Sequence, residues 1–99
     1  MLTINKTIED GKALFTLDGR LDTTTAPELE KELKEALPGV SELTLDFAAL
    51  EYISSAGLRV LLAAQKIMNR QGEMRIANVN EIVHEVFDVT GFSDILTIL

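Results

Sequence analysis

The 99-residue sequence predicts a single α/β domain over residues 1–99, with a mixed sheet of four to five strands and helices mainly on one face. Three observations lead there. Short stretches in which apolar and polar residues alternate have the period of a half-buried strand. Longer stretches that repeat apolar residues at i, i+3, i+4 and i+7 have the period of an amphipathic helix. Their order along the chain, β, β, α, β, α, β, α, implies a mixed sheet with one face covered by helices and the other face more polar.

The first two strands form a hairpin. Leu2, Ile4 and Ile8 alternate with Thr3, Asn5 and Thr7, and after the turn-like Glu9-Asp10-Gly11 the alternation resumes at Ala13, Phe15 and Leu17. Asp18 to Asp22 reads as the chain leaving that hairpin. Thr25-Ala26-Pro27-Glu28 then opens a helix, with Thr25 and Glu28 at capping-box spacing and Pro27 in the first turn, where its missing N–H costs nothing. Leu29, Leu33, Ala36 and Leu37 form its buried stripe, and Glu30-Lys34 and Lys31-Glu35 are i, i+4 ion pairs on its solvated side. Pro38-Gly39 ends it.

Glu42 to Phe47 alternates again and predicts the third strand. The segment Glu51 to Met68 follows and is the most apolar helix-like stretch of the chain. Leu58, Leu61, Leu62, Gln65 and Met68 carry the helical period, while Val60, Ala63, Ala64 and Ile67 widen the apolar arc. Ser54 and Ser55 stand at its start, where a serine hydroxyl can accept from unpaired N–H groups of the first turn. The helix start also carries partial positive charge, and residues 54–71 contain Arg59, Lys66 and Arg70 but no acid, so a negative group at Ser55 is tolerated. Gly57, in the first turn, has two readings of equal weight: close packing of helix on sheet, or bare backbone approached by a partner.

Gln71-Gly72 closes this helix, and Glu73 to Ala77 is a short strand with Met74 and Ile76 facing one way. Asn78 or Asn80 caps a third helix with the stripe Ile82, Val83, Val86 and Phe87. Thr90-Gly91 stops it before Phe92 and the apolar tail Ile95, Leu96, Ile98 and Leu99. A right-handed crossover lets the strands flanking the central helix lie parallel, which puts Ser54 and Ser55 at the carboxyl end of a strand.

Composition narrows the function. Hydrophobic residues make up 46% of the chain, too many for a disordered protein. The net charge of −7 disfavours phosphate-backbone and anionic-membrane binding, so no direct nucleic-acid contact is expected. No stretch reads as a signal peptide or approaches the ~18 apolar residues of a spanning helix, so no membrane insertion is expected. With no cysteine, thiolate catalysis and Cys-based metal sites are excluded.

No enzyme is expected either. His84, the one histidine, has no Asp or Ser motif arranged with it, and Ile53 stands where the first glycine of a G-x-S-x-G elbow belongs. Asp18 and Asp22 flank Arg20 as solvated acids rather than a metal cluster. The glycine-rich phosphate-binding signatures are absent. No catalytic, cofactor or metal residue is assigned.

Three segments carry a family likeness. FAALEYISSAGLRVLL resembles the core motif of STAS domains, specifically of bacterial anti-sigma factor antagonists. LDGRLDTTTAPELEKEL resembles the family's Gly-x-Leu-Asp followed by Thr or Ala and a helix, and HEVFDVTGFSDIL is similar to its C-terminal helix and turn. The likeness spans nearly the whole chain, in order.

What the resemblance implies is a STAS-like fold and a cytoplasmic regulatory phosphoprotein that acts on transcription by protein–protein interaction. The unmodified form would bind an anti-sigma factor, often itself a serine kinase, and so release a sigma factor. Phosphorylation at Ser55 would switch it off, and a PP2C-like phosphatase would reset it. Ser54 stands where the family usually has Asp and is a rival acceptor. The expected partner-binding residues are Asp22, Thr24, Thr25, Ser54, Ser55, Gly57, Leu58 and Arg59. The alternative is a non-switching STAS adaptor subunit of a transporter or signalling assembly.

Overall fold

The computed structural model describes residues 1–99. Strand β1 (Leu2–Glu9) turns through Asp10-Gly11 into β2 (Lys12–Leu21), and Glu9 lies opposite Lys12 across the turn. Both turn residues have positive φ, 50° at Asp10 and 76° at Gly11, the geometry that matches the twist of an antiparallel pair. Helix α1 (Ala26–Ala36) leads to β3 (Glu42–Ile53), α2 (Ser55–Gln71) to β4 (Glu73–Ala77), and α3 (Glu81–Thr90) to a short 3-10 turn at Phe92–Asp94.

The sheet order is β1-β2-β3-β4, with β1 and β2 antiparallel and the pairs β2/β3 and β3/β4 parallel. The tail adds a single parallel bridge, Ile98 beside Ile76, through Ile76 N–H to Thr97 O and Leu99 N–H to Ile76 O, each 2.9 Å. A fifth strand position is thus begun but not extended.

Inward-facing Ala13, Phe15 and Leu17 of β2, Leu43, Leu45 and Phe47 of β3, and Met74 and Ile76 of β4 are all buried. They meet Leu29 and Leu33 of α1, Leu61, Ala64 and Met68 of α2, and Val83 and Phe87 of α3 in one core. The Phe47 and Phe87 rings lie 6.4 Å apart at 40°. The opposite face is open and polar. Glu42 there receives Lys12 at 3.5 Å and Arg75 at 3.4 Å, and Arg75 also reaches Glu73 at 2.5 Å.

Several boundaries differ from the expectation. Asp18 to Leu21 does not leave the hairpin: β2 continues to Leu21, and β3 runs on past Phe47 to Ile53. The two extensions pair with each other, with β3 carrying an extra residue at each of two register shifts, Thr16/Asp18 and Gly19/Arg20. Each bulge resets which side faces inward, so buried residues of β3 fall three apart at Phe47, Leu50 and Ile53. A search for strict alternation ends at the first bulge. Ile82, placed in the buried stripe of the third helix, is 61% exposed on the shoulder of α3. The expected Lys31–Glu35 pair is not formed, whereas Glu30–Lys34 is, at 3.7 Å, and Glu32 pairs with Lys6 of β1.

The caps also differ. Asn80, not Asn78, caps α3, its side-chain oxygen accepting from Val83 N–H at 2.8 Å. Asn78 takes a positive φ of 59° and donates its amide to Asp46 at 3.0 Å. Thr25 precedes α1 but makes no side-chain cap, so the capping box is absent.

Candidate functional site

Leu21 and Ile53 are partners on the adjacent parallel strands β2 and β3, so the turn after β2 and the start of α2 emerge side by side. Ser54 N–H donates to Leu21 O at 2.9 Å and ties the two together. This junction lies at the carboxyl ends of the strands, where parallel sheets leave room for a partner.

The turn Asp22–Thr25 is held from within. One Asp22 carboxylate oxygen accepts from the Thr24 hydroxyl at 2.7 Å, Thr24 N–H at 3.0 Å and Thr25 N–H at 3.1 Å. The Thr24 hydroxyl first, and then the Thr25 and Thr24 N–H groups, hold the Asp22 carboxyl below its ordinary value against the opposing effect of desolvation. Thr25 is buried, and its hydroxyl donates to Arg20 O at 2.8 Å while accepting from Asp22 N–H at 2.8 Å. That turns it away from the helix it was expected to cap. Of the turn residues, Thr23 and Thr24 face solvent and Asp22 is half-buried.

At the start of α2 the two serines part company. Ser54 is the N-cap residue by position, with extended backbone (φ −100°, ψ 177°), and its carbonyl accepts the first helical bond from Leu58 N–H at 3.0 Å. Its hydroxyl caps nothing: the oxygen is buried without a hydrogen-bond partner. Ser55, the first helical residue, is exposed. One turn further on, Arg59 is exposed too, and no acid lies in the first turn.

Gly57 and Leu58 are buried. An added Cβ at Gly57 would lie 2.7 Å from Leu21 Cγ and 2.8 Å from Ile53 Cγ1. Of the two readings of this glycine, close packing of helix on sheet is therefore the one the geometry supports. The packing brings Ser55 down beside the Asp22 turn.

A groove of about 180 Å3 separates the beginnings of α1 and α2, lined by Thr23, Pro27, Glu30, Ala56, Arg59 and Val60 among others. On the open face of the sheet, the Arg20 guanidinium lies 4.6 Å from the centroid of the half-exposed Tyr52 ring. Pro27, Glu30 and Tyr52 were not expected at the site from the sequence. Arg20 and Tyr52 become neighbours only through the shifted β2/β3 register, and the groove residues only through the packing of α1 against α2.

Of the expected site residues, the fold brings Asp22, Thr24, Ser54, Ser55 and Arg59 to one end of the sheet. It places Thr25, Gly57 and Leu58 beneath them as support. No helix is long and apolar enough to cross a membrane.

Comparison with known proteins agrees with this architecture. BtrV of Bordetella bronchiseptica is 38% identical over 99 residues, covering 98% of this chain and 84% of that protein. An anti-sigma F factor antagonist of Paenibacillus polymyxa is 31% identical over 91 residues, covering 89% of this chain and 78% of the relative. Among solved structures, an anti-sigma factor antagonist from Mycobacterium paratuberculosis superposes with a TM-score of 0.89 at 21% identity, over 99% of this chain and 85% of that one. The unphosphorylated form of the anti-sigma factor antagonist SpoIIAA gives 0.76 at 16% identity, over 100% of this chain and 87% of that one. The phosphorylated form of Bacillus SpoIIAA gives 0.75 at 16% identity, over 100% and 91%. The model of the STAS domain matches residues 3–99, which together with these relatives places the chain in the STAS domain family.

Proposed function

We propose that this protein is an anti-sigma factor antagonist, a regulatory binding module rather than an enzyme. In its unmodified state, the Asp22–Thr24 turn and the first turns of α2 engage an anti-sigma factor and so release a sigma factor. Phosphorylation of Ser55 turns binding off. The anti-sigma factor itself, acting as a serine kinase, supplies the phosphate, and a PP2C-like phosphatase removes it.

The observation that carries this reading is the contrast between the two serines. Ser55 offers an exposed hydroxyl at the first position of α2, while the Ser54 oxygen is buried. A kinase can reach the first without unfolding the helix start. Two further facts support it: relatives over most of the chain are named as such antagonists, and one structural neighbour was solved in both modification states.

Phosphate at Ser55 suits the free protein and not the complex. A helix start favours a negative group by about 0.3–1 kcal/mol, and Arg59 lies one turn on. Desolvating a group of about −1.5 to −2 charge against a partner costs several times more. Ser55→Asp is thus expected to keep the melting temperature yet weaken anti-sigma binding by about tenfold or more, and Ser55→Ala to bind but resist switching off. The decisive measurement is site-resolved mass spectrometry of wild type, Ser54→Ala and Ser55→Ala after incubation with the partner kinase and ATP. Phosphate on Ser54 moves the site by one residue, and phosphate on neither serine favours the non-switching adaptor.

A further inference from the structure

Two faces of this molecule have opposite charge and lack partners. On α2, Ser55, Arg59, Lys66 and Arg70 follow at spacings of four, seven and four, which places them on one face, and all four are exposed. None of the three cations pairs with a carboxylate. Half-buried Ala63 and Ile67 flank them. This concentration of positive charge stands in a chain of net charge −7.

The complementary surface is on α3. From residue 76 onward the chain has no Lys or Arg but contains Glu81, Glu85, Asp88 and Asp94. Glu81, Glu85 and Asp88 share one exposed face of α3. Asp88 is engaged by Ser93 and His84, but Glu81 and Glu85 make no ion pair. Along the shoulder beside them run Ile82, 61% exposed, half-buried Val86, and Val89, 80% exposed. Two large β-branched side chains left this open next to the core mark a surface that something covers.

We infer that α3 of one copy docks on α2 of a second copy of this chain. The charge patterns fit: Glu81 and Glu85 are one helical turn apart, as are Lys66 and Arg70, so both carboxylates can face both cations at once. Ile82 and Val89 then lie against Ala63 and Ile67, adding apolar burial beside the charges. The contact is one helix against another, a small interface, so the association is weak and falls with ionic strength. The docking uses the second half of α2, from Ala63 to Arg70, and does not rest on the proposed function.

Sedimentation equilibrium of the full chain alone, at low and high salt, tests the docking. Self-association at protein concentrations of about 0.1–1 mM, weakening with salt, is expected. Lys66→Glu with Arg70→Glu, and separately Glu81→Lys with Glu85→Lys, each weaken it by about tenfold or more. Mixing the two double variants restores association, as does combining all four substitutions in one chain. Circular dichroism guards against misfolding of either variant. A wild-type chain that is monomeric across this range, or reversed pairs that never recover association, overturns the inference. Neither result bears on whether Ser55 is phosphorylated.

Discussion

A methyl group at position 57 would sit 2.7 Å from the Cγ of Leu21 and 2.8 Å from Cγ1 of Ile53, two side chains with almost no exposure. Neither can withdraw into solvent, so the helix must lift from the sheet. Gly57→Val, which adds a branched side chain, is expected to destabilise the fold by at least the ~1–3 kcal/mol typical of overpacking. Urea unfolding reads this directly, and an unchanged midpoint would show that the helix start has slack. Because Ser55 is carried on the same turn, the variant also displaces the proposed switch residue from the Asp22 turn. Glycine was legible in the sequence as an exception needing a reason. The reason itself required knowing that Leu21 and Ile53 lie beneath it.

At the scale of the element, two helix starts that look alike in sequence are built differently. Asn80 accepts from Val83 N–H and donates its amide to Leu50 O at 2.8 Å, so it both caps α3 and ties it to β3. Ser54 does neither with its hydroxyl, which is buried without a partner. Asn80→Ala is therefore expected to cost about 1–2 kcal/mol, the upper part of the range for a lost cap. Ser54→Ala removes a desolvated group that gains nothing inside, so a change within about 0.5 kcal/mol, or a slight stabilisation, is expected. Thermal unfolding of the two variants side by side checks the contrast. Equal losses would mean that the Ser54 hydroxyl caps α2 in solution.

For the whole molecule, three carboxylates spread over the fold respond to acid in the same direction. Asp46 is held below its ordinary value first by the Asn78 amide and then by Ala48 N–H, Asp22 first by the Thr24 hydroxyl, and Asp88 first by the Ser93 hydroxyl and more weakly by His84. A depressed folded-state pKa means that protons bind more readily to the unfolded chain. The stability these groups contribute is present above the unfolded value of about 3.9 and is lost as pH falls through their lower folded values. The melting temperature should thus fall as pH drops below about 4, and more gently in Asp46→Asn, which keeps both hydrogen bonds to its oxygen without titrating. A variant with the wild-type slope would remove Asp46 from that account.

Periodicity alone determined the element order, the helix-covered face and the position of the serines after a strand, because burial on one side imprints a period of two or 3.6 on the chain. The Asp10-Gly11 turn, Pro27 in the first turn of α1 and Gly91 after α3 were readable because backbone geometry there selects residue type locally. The family likeness likewise rested on local motifs in order. What only the tertiary structure decided depends on partners distant in sequence. The bulges that carry β2 to Leu21 and β3 to Ile53 exist because the two extensions pair with each other, and they erase the alternation a sequence reading follows. The division of the serines, one buried and one exposed, follows from the seating of α2 on Leu21 and Ile53. So does the burial of Gly57 and Leu58 under the surface they were expected to form, while Thr25 is drawn inward by its hydroxyl bonds to Arg20 O and Asp22 N–H. A motif can mark which residues gather at a site, but which side chains reach its surface is set by packing between elements that the motif does not contain.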